Sequence, residues 1–135
     1  MVNQYKTCLL LEDDPEDQEF FLKTLHAVSS KTGCYAVSNG EEALSALQEE
    51  GITPDYIFTD IQMPRMNGFE FLKRLRSIRE YQNIPVVVYS STYSEDLVAK
   101  LKMLGATAFY SKARYHVLPE ILRKYFGDPR SRSIL

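Results

Sequence analysis

The sequence predicts an α/β fold, a five-stranded parallel sheet doubly wound by helices on both faces, and three observations carry that reading. Five short apolar runs, beginning near Cys8, Cys34, Tyr56, Ile84 and Thr107, alternate with segments whose apolar residues recur at helical spacing. The first run, Cys8-Leu9-Leu10-Leu11, does not alternate with polar residues, as a strand buried on both faces does not. The runs break off into Glu12-Asp13-Asp14, Asp60, Ser90 and Ser111-Lys112, so polar chemistry gathers where such sheets bind ligands, at the strands' C-terminal ends.

Each element has its own justification. After the first strand, Asp14 can cap a helix that has Pro15 in its first turn and Glu16 and Asp17 at the positive end of its dipole, with Phe21, Leu25 and Val28 buried. Ser29 to Gly33 ends that helix, Cys34-Tyr35-Ala36-Val37 makes the second strand, and Asn39 with Glu42 three residues on opens a second helix that buries Leu44 and Leu47. Gly51 stops it, Pro54-Asp55 turns the chain, and Tyr56-Ile57-Phe58-Thr59 runs into Asp60. A loop from Gln62 to Gly68 precedes a third helix with Phe71, Leu75 and Ile78 inside and Lys73, Arg74, Arg76 and Arg79 on a face expected to be merely solvated. Ile84 to Tyr89 is a β-branched buried strand ending at Ser90-Ser91-Thr92. Ser94 begins a fourth helix with Leu97, Leu101 and Leu104 inward; Gly105 ends it, and Thr107 to Tyr110 forms the fifth strand. The last helix buries Val117, Ile121 and Tyr125 on one row and Leu118, Leu122 and Phe126 on the next, and Pro119 fits only in its first turn.

At 135 residues the chain is expected to be one domain, residues 1–135, with a core over about 6–126. A net charge of -2 argues for neither nucleic acid nor membrane as a direct partner. Met1 to Lys6 lack the apolar core of a signal peptide, and no apolar run approaches the roughly 20 residues of a membrane span, so a cytoplasmic location is expected. Cys8 and Cys34 have no CxxC spacing and read as buried thiols rather than a disulfide or metal pair.

If the first and third strands are neighbours, Glu12, Asp13, Asp14 and Asp60 share one rim. Carboxylates that close raise each other's pKa unless a cation sits among them, and an oxygen-rich anionic site suits a hard divalent ion. Taken singly, Asp60 could be a loop or capping residue, Ser90 a turn former and Lys112 a surface charge; their joint position at successive strand ends favours a site.

These residues resemble the receiver domain of two-component response regulators over about residues 6 to 126: Glu12-Asp13-Asp14-Pro15, Asp60-Ile61-Gln62-Met63-Pro64 with Asn67-Gly68, Pro85 to Ser90, and Gly105-Ala106 through Lys112. The resemblance implies a flavodoxin-like sheet of strand order 2-1-3-4-5. It implies that Asp60 accepts a phosphoryl group from a histidine kinase or histidine phosphotransfer protein, and that Asp13, Asp60 and the Gln62 backbone carbonyl ligate Mg2+, or Mn2+, with Glu12 acting through water. Ser90 then corresponds to the hydroxyl that contacts the phosphoryl group, Lys112 to the family's lysine, Phe109 to the aromatic switch, and Asp14 to a variable position. Receivers usually follow the lysine with a cis proline, where this chain has Ala113. Arg114, next door, could also serve the phosphoryl group. The protein would not be an enzyme beyond catalysing its own phosphoryl transfer and dephosphorylation.

Three other readings stay open: a flavin carrier, disfavoured by acids where its phosphate loop should be; a Mg-dependent phosphatase with an Asp nucleophile, which wants an acid where Gln62 stands; and a receiver-like scaffold that takes no phosphate. After Phe126 only Gly127 to Leu135 remain, too few for an output domain, so output by contact is expected. The expected surface is the fourth helix, fifth strand and fifth helix, rimmed by Lys100, Lys102, Arg123 and Lys124, binding a downstream protein or a second copy of the chain in a phosphorylation-dependent manner.

Overall fold

In a computed structural model that describes residues 6–127, the strands are β1 (Thr7–Leu11), β2 (Gly33–Val37), β3 (Tyr56–Thr59), β4 (Val86–Ser90) and β5 (Ala108–Ser111). The helices are α1 (Pro15–Val28), α2 (Gly40–Gln48), α3 (Gly68–Ser77), α4 (Glu95–Met103) and α5 (Leu118–Phe126). All four strand pairs are parallel, in the order β2-β1-β3-β4-β5, as expected. Residues 1–5 and the expected tail from Asp128 onward lie outside the described residues. Within them, no helix is long and apolar enough to cross a membrane.

Successive side chains of a strand point to opposite faces, and here they feed two separate cores. Leu9, Leu11, Ile57, Val86 and Val88 pack with Leu44, Leu47, Phe71, Leu75 and Leu101 on the α2–α3–α4 side. Leu10, Phe58 and Val87 pack with Phe21, Leu25, Leu118, Leu122 and Phe126 on the other. Phe58 anchors this second core, its ring 5.2 Å from Phe21 and 5.6 Å from Tyr125 in tilted and edge-on arrangements.

Local chemistry sets the helix starts. Asp14 accepts from the amides of Glu16 and Asp17, Asn39 from Glu42, and Ser94 from Leu97. Asn67 and Glu70 form a reciprocal capping box that starts α3 directly after the loop. Pro119 does lie in the first turn of α5.

Three expectations need correction. Arg76 is not a solvated charge: its guanidinium donates twice to the Gly105 carbonyl, at 2.8 and 3.2 Å, and once to Tyr81 at 3.0 Å, tying α3 to the turn before β5. Of the inward leucines of α4 only Leu101 is fully buried; Leu97 and Leu104 are half-buried, because α4 covers one margin of the sheet. Arg79 lies past the end of α3, in a short 3-10 turn at Arg79–Tyr81, and Val117 lies ahead of α5, in a second 3-10 turn at Lys112–Val117 capped by Ser111, whose hydroxyl accepts from the Ala113 amide.

Candidate functional site

Backbone bonds level the strand ends. The Asp60 amide donates to Leu11 at 3.0 Å and the Glu12 amide to Val37 at 2.9 Å, so the acids that follow β1 and β3 start from adjacent rungs. Asp60 then turns back on itself, its Oδ1 accepting from the Ile61 amide at 2.7 Å. Gly68 closes the following loop with a bond to Ile61 at 2.8 Å, where any Cβ would stand 2.4 Å from the Asp60 carbonyl oxygen. That contact explains a glycine at this position: the start of α3 sits against the backbone of Asp60.

Glu12, Asp13 and Asp60 each bring a carboxylate oxygen within 4.8 Å of the others. Lys112 reaches across from the end of β5, and its Nζ donates to Glu12 Oε1 at 2.5 Å, Asp60 Oδ2 at 2.9 Å and Asp17 Oδ2 at 2.9 Å. The ammonium lies 5.9 Å from the Tyr89 ring centroid. Burial pushes the Glu12 carboxyl up to about 6 despite the lysine's opposing pull. Burial also works against the charge on Lys112, but its hydrogen bonds to Glu12, Asp60 and Asp17 outweigh that and hold its pKa above the ordinary lysine value.

The other expected residues lie around this centre. Gln62 is exposed in the loop two residues past Asp60. Ser90 is buried at the end of β4, paired with Ser111 of β5, and its Oγ accepts from the Thr92 amide at 3.2 Å, which leaves the hydroxyl proton available to donate. Phe109 is half-buried on β5 with its ring 5.8 Å from that of Tyr93, and the two line a cleft of about 220 Å3 shared with Arg114, Val117 and Ile121. Asp14 caps α1 instead of joining the carboxylate cluster. The peptide between Lys112 and Ala113 is trans, and Lys112 still reaches the acids.

Asp17 was missed by reasoning from sequence, which gave it only a helix-dipole role. The available signal was its place three residues past the Asp14 cap, in the turn of α1 that starts at the rim.

The donor set fits a hard divalent cation: three clustered carboxylates supply oxygen only, and one lysine leaves the four acids around it under-compensated.

The family model described as the response regulator receiver domain matches residues 8–122. Among curated proteins, the chain is 32% identical over 105 residues, 77% of its own length, to "Hybrid signal transduction histidine kinase D" of Dictyostelium discoideum, of which it spans only 6%. It is 28% identical over 124 residues to the "Polar-differentiation response regulator DivK" of Brucella anthropi, covering 91% of this chain and 98% of that protein. The phosphorylated cyanobacterial phytochrome response regulator RcpA superposes with TM-score 0.80 at 26% identity, covering 89% of this chain and 90% of the other. The Mn(2+)-bound form of response regulator Rcp1 superposes with TM-score 0.78 at 25% identity, covering 88% and 90%. With the acid rim at the end of a 2-1-3-4-5 sheet and the match over nearly the whole described chain, the chain belongs to the response regulator receiver domain family, the signalling domains of two-component and phosphorelay systems.

Proposed function

We propose that this chain is a phosphoacceptor that takes a phosphoryl group on Asp60 from a histidine kinase or histidine phosphotransfer protein and signals through phosphorylation-dependent protein contact. The observation that carries the reading is the Lys112 ammonium held against Asp60 and Glu12 at a carboxylate rim. An Asp60 oxygen attacks phosphorus, the P–N bond of the donor phosphohistidine breaks, and its electron pair returns to the imidazole nitrogen, leaving an acyl phosphate. The carboxylate is a weak nucleophile meeting a dianion, so the protein's task is charge neutralisation and alignment. Lys112 supplies part of it. Mg2+ is the cation proposed, with Mn2+ an alternative that the Mn-bound relative supports; Asp13, Asp60 and the Gln62 carbonyl would hold it, with Glu12 acting through water, and it would supply the remaining neutralisation of the phosphoryl oxygens.

The acyl phosphate carries roughly -1.5 to -2 charges. Lys112 can exchange its Asp60 bond for a phosphoryl oxygen, and the Ser90 hydroxyl can donate to another. Both moves draw on β4 and β5, and Phe109, beside Tyr93, lies on the path to the α4–β5–α5 face. That face, with Lys100, Lys102, Arg123 and Lys124 about it, is proposed to bind a downstream protein or a second copy of the chain. Lys100 already lies 4.9 Å from the Phe69 ring centroid, so it is oriented by an aromatic neighbour.

Intact-mass measurement after acetyl phosphate and Mg2+ tests the acceptor. The wild type should gain one phosphoryl group and Asp60→Asn none; equal labelling of both would end the assignment, and no labelling of the wild type would favour a scaffold that takes no phosphate.

A further inference from the structure

We propose that Cys8 and Cys34 are a thiol oxidation site, at which hydrogen peroxide oxidises Cys34 and the product closes onto Cys8 as a disulfide across β1 and β2. Both cysteines are free thiols, and the strand register sets them directly opposite one another. Paired residues of adjacent parallel strands project to the same face, and both side chains meet the α1–α5 core, Cys8 inside it and Cys34 packed against it. Neighbouring strands lie about 4.7 to 4.9 Å apart. That falls within the roughly 4.4 to 6.8 Å Cα separation that a disulfide spans. The two thiols already influence each other, Cys34 adding to the burial that raises the Cys8 pKa.

Access and adaptability come from position. Among the described residues β2 is the edge strand, bonded only to β1, so it can shift to bring the sulfurs together without disturbing another pairing there. Both cysteines also line an open cleft of about 410 Å3 at this edge, walled by Thr7, Tyr35, Ile52 and Pro54, through which a small oxidant can reach them. The cleft opens beside Thr7, at the end of β1 away from Glu12, so the proposal does not depend on the phosphoryl chemistry.

The roles of the two sulfurs differ. Cys34 is half-buried and meets the peroxide first, whereas Cys8 is buried behind it. The Cys34 sulfur takes one peroxide oxygen, the O–O bond breaks, and water leaves with the thiol proton, giving a sulfenic acid. The Cys8 sulfur then attacks the Cys34 sulfur as its proton passes to the departing hydroxyl, the S–O bond breaks, and a second water leaves. In sum two thiols and one peroxide become a disulfide and two waters. Its place at an open edge leaves the bond accessible to reducing thiols, so the site is reversible.

The test is intact mass and alkylation counting on the full chain, after hydrogen peroxide and quenching with iodoacetamide under denaturing conditions. The expected result is a monomer lighter by two hydrogens that takes up no alkyl group, with both alkylation sites restored by dithiothreitol. In Cys8→Ser, Cys34 should accumulate as a sulfenic acid that dimedone traps. Wild-type protein that instead adds oxygen to Cys34, links two chains through it, or keeps both alkylation sites at peroxide levels that oxidise Cys8→Ser would overturn the proposal. Should that variant not fold, the same readout against a fully reduced control decides the question, and retained alkylation sites overturn it.

Discussion

Replacing Lys112 with alanine strips the rim of the cation that binds three of its acids. Glu12 and Asp60 are shielded, at 4% and 12% side-chain exposure, whereas Asp17 is 47% exposed. Removing one partner of a buried pair costs about 3 to 5 kcal/mol. An exposed pair is worth about 0 to 1 kcal/mol. For a rim with two shielded acceptors and water at its mouth, the lower end of the buried range applies, about 3 kcal/mol. In a domain of this size that is a fall of about 10 °C in Tm, measured by circular dichroism in EDTA. The loss should depend on pH. The folded pKa of Glu12, about 6, lies above its ordinary 4.5, so its contribution is fully present below 4.5 and is lost as pH rises through 6. Burial drives that shift and Lys112 opposes it, so the variant's Glu12 should charge at higher pH than the wild type's and at greater cost. The deficit should therefore be larger near about pH 8 than near about pH 5, and saturating Mg2+ should shrink it by compensating the same carboxylates. A deficit below about 1 kcal/mol, or one indifferent to both pH and Mg2+, would refute the charge-compensation argument.

Asp13→Asn should raise the metal-free Tm, because it relieves repulsion within the carboxylate cluster, and should weaken Mg2+ binding by calorimetry; loss of stability with unchanged affinity would exclude a ligand role. Gly68→Ala should be destabilising by about 3 kcal/mol in urea unfolding, since the new methyl meets backbone that cannot swing aside; a neutral outcome would mean the loop is loosely held. Arg76→Met should cost about 1 to 3 kcal/mol by taking the guanidinium from the Gly105 carbonyl and leaving Tyr81 only the long bond from the Ile84 amide, and amide exchange should quicken around Ala106 and Thr107 but not in β1. Backbone amide shifts on phosphodonor addition should spread from Asp60 to residues between Ser94 and Phe126; changes confined to the neighbourhood of Asp60 would remove the output face.

Much of the fold was legible because its signals are local. Asp14, Asn39 and Ser94 announce helix starts, and an apolar run broken by Asp60 and a turn announces a strand end. The gathering of Glu12, Asp13, Asp60 and Lys112 also followed, since parallel order places strand ends on one rim. What escaped depends on partners far along the chain. The bond from Asp17 to Lys112 joins residues 95 positions apart, and that from Arg76 to Gly105 residues 29 apart. Helical periodicity treats Arg76 as one more outward charge, because nothing local records the carbonyls waiting for it. Nor does the spacing of Cys8 and Cys34 disclose that they share a rung of the sheet, which is a property of register.

The alternation of the strands between two cores carries a rule for how this sequence can change length. Leu10 and Phe58 face the α1–α5 side, and counting on by two along each strand reaches Glu12 and Asp60; Tyr110, which packs on the same side, leads likewise to Lys112. Val88 faces the opposite core and leads to Ser90. The aim of Glu12, Asp60, Lys112 and Ser90 is thus inherited by parity from a packed residue two places earlier. One residue inserted within β3 would keep every chemical group yet either bury the wrong face or turn Asp60 away from the lysine, whereas additions in the loop ahead of Tyr56 leave the count intact. Insertions and deletions in this chain should therefore obey an even–odd constraint inside the strands and none in the loops at the other end of the sheet.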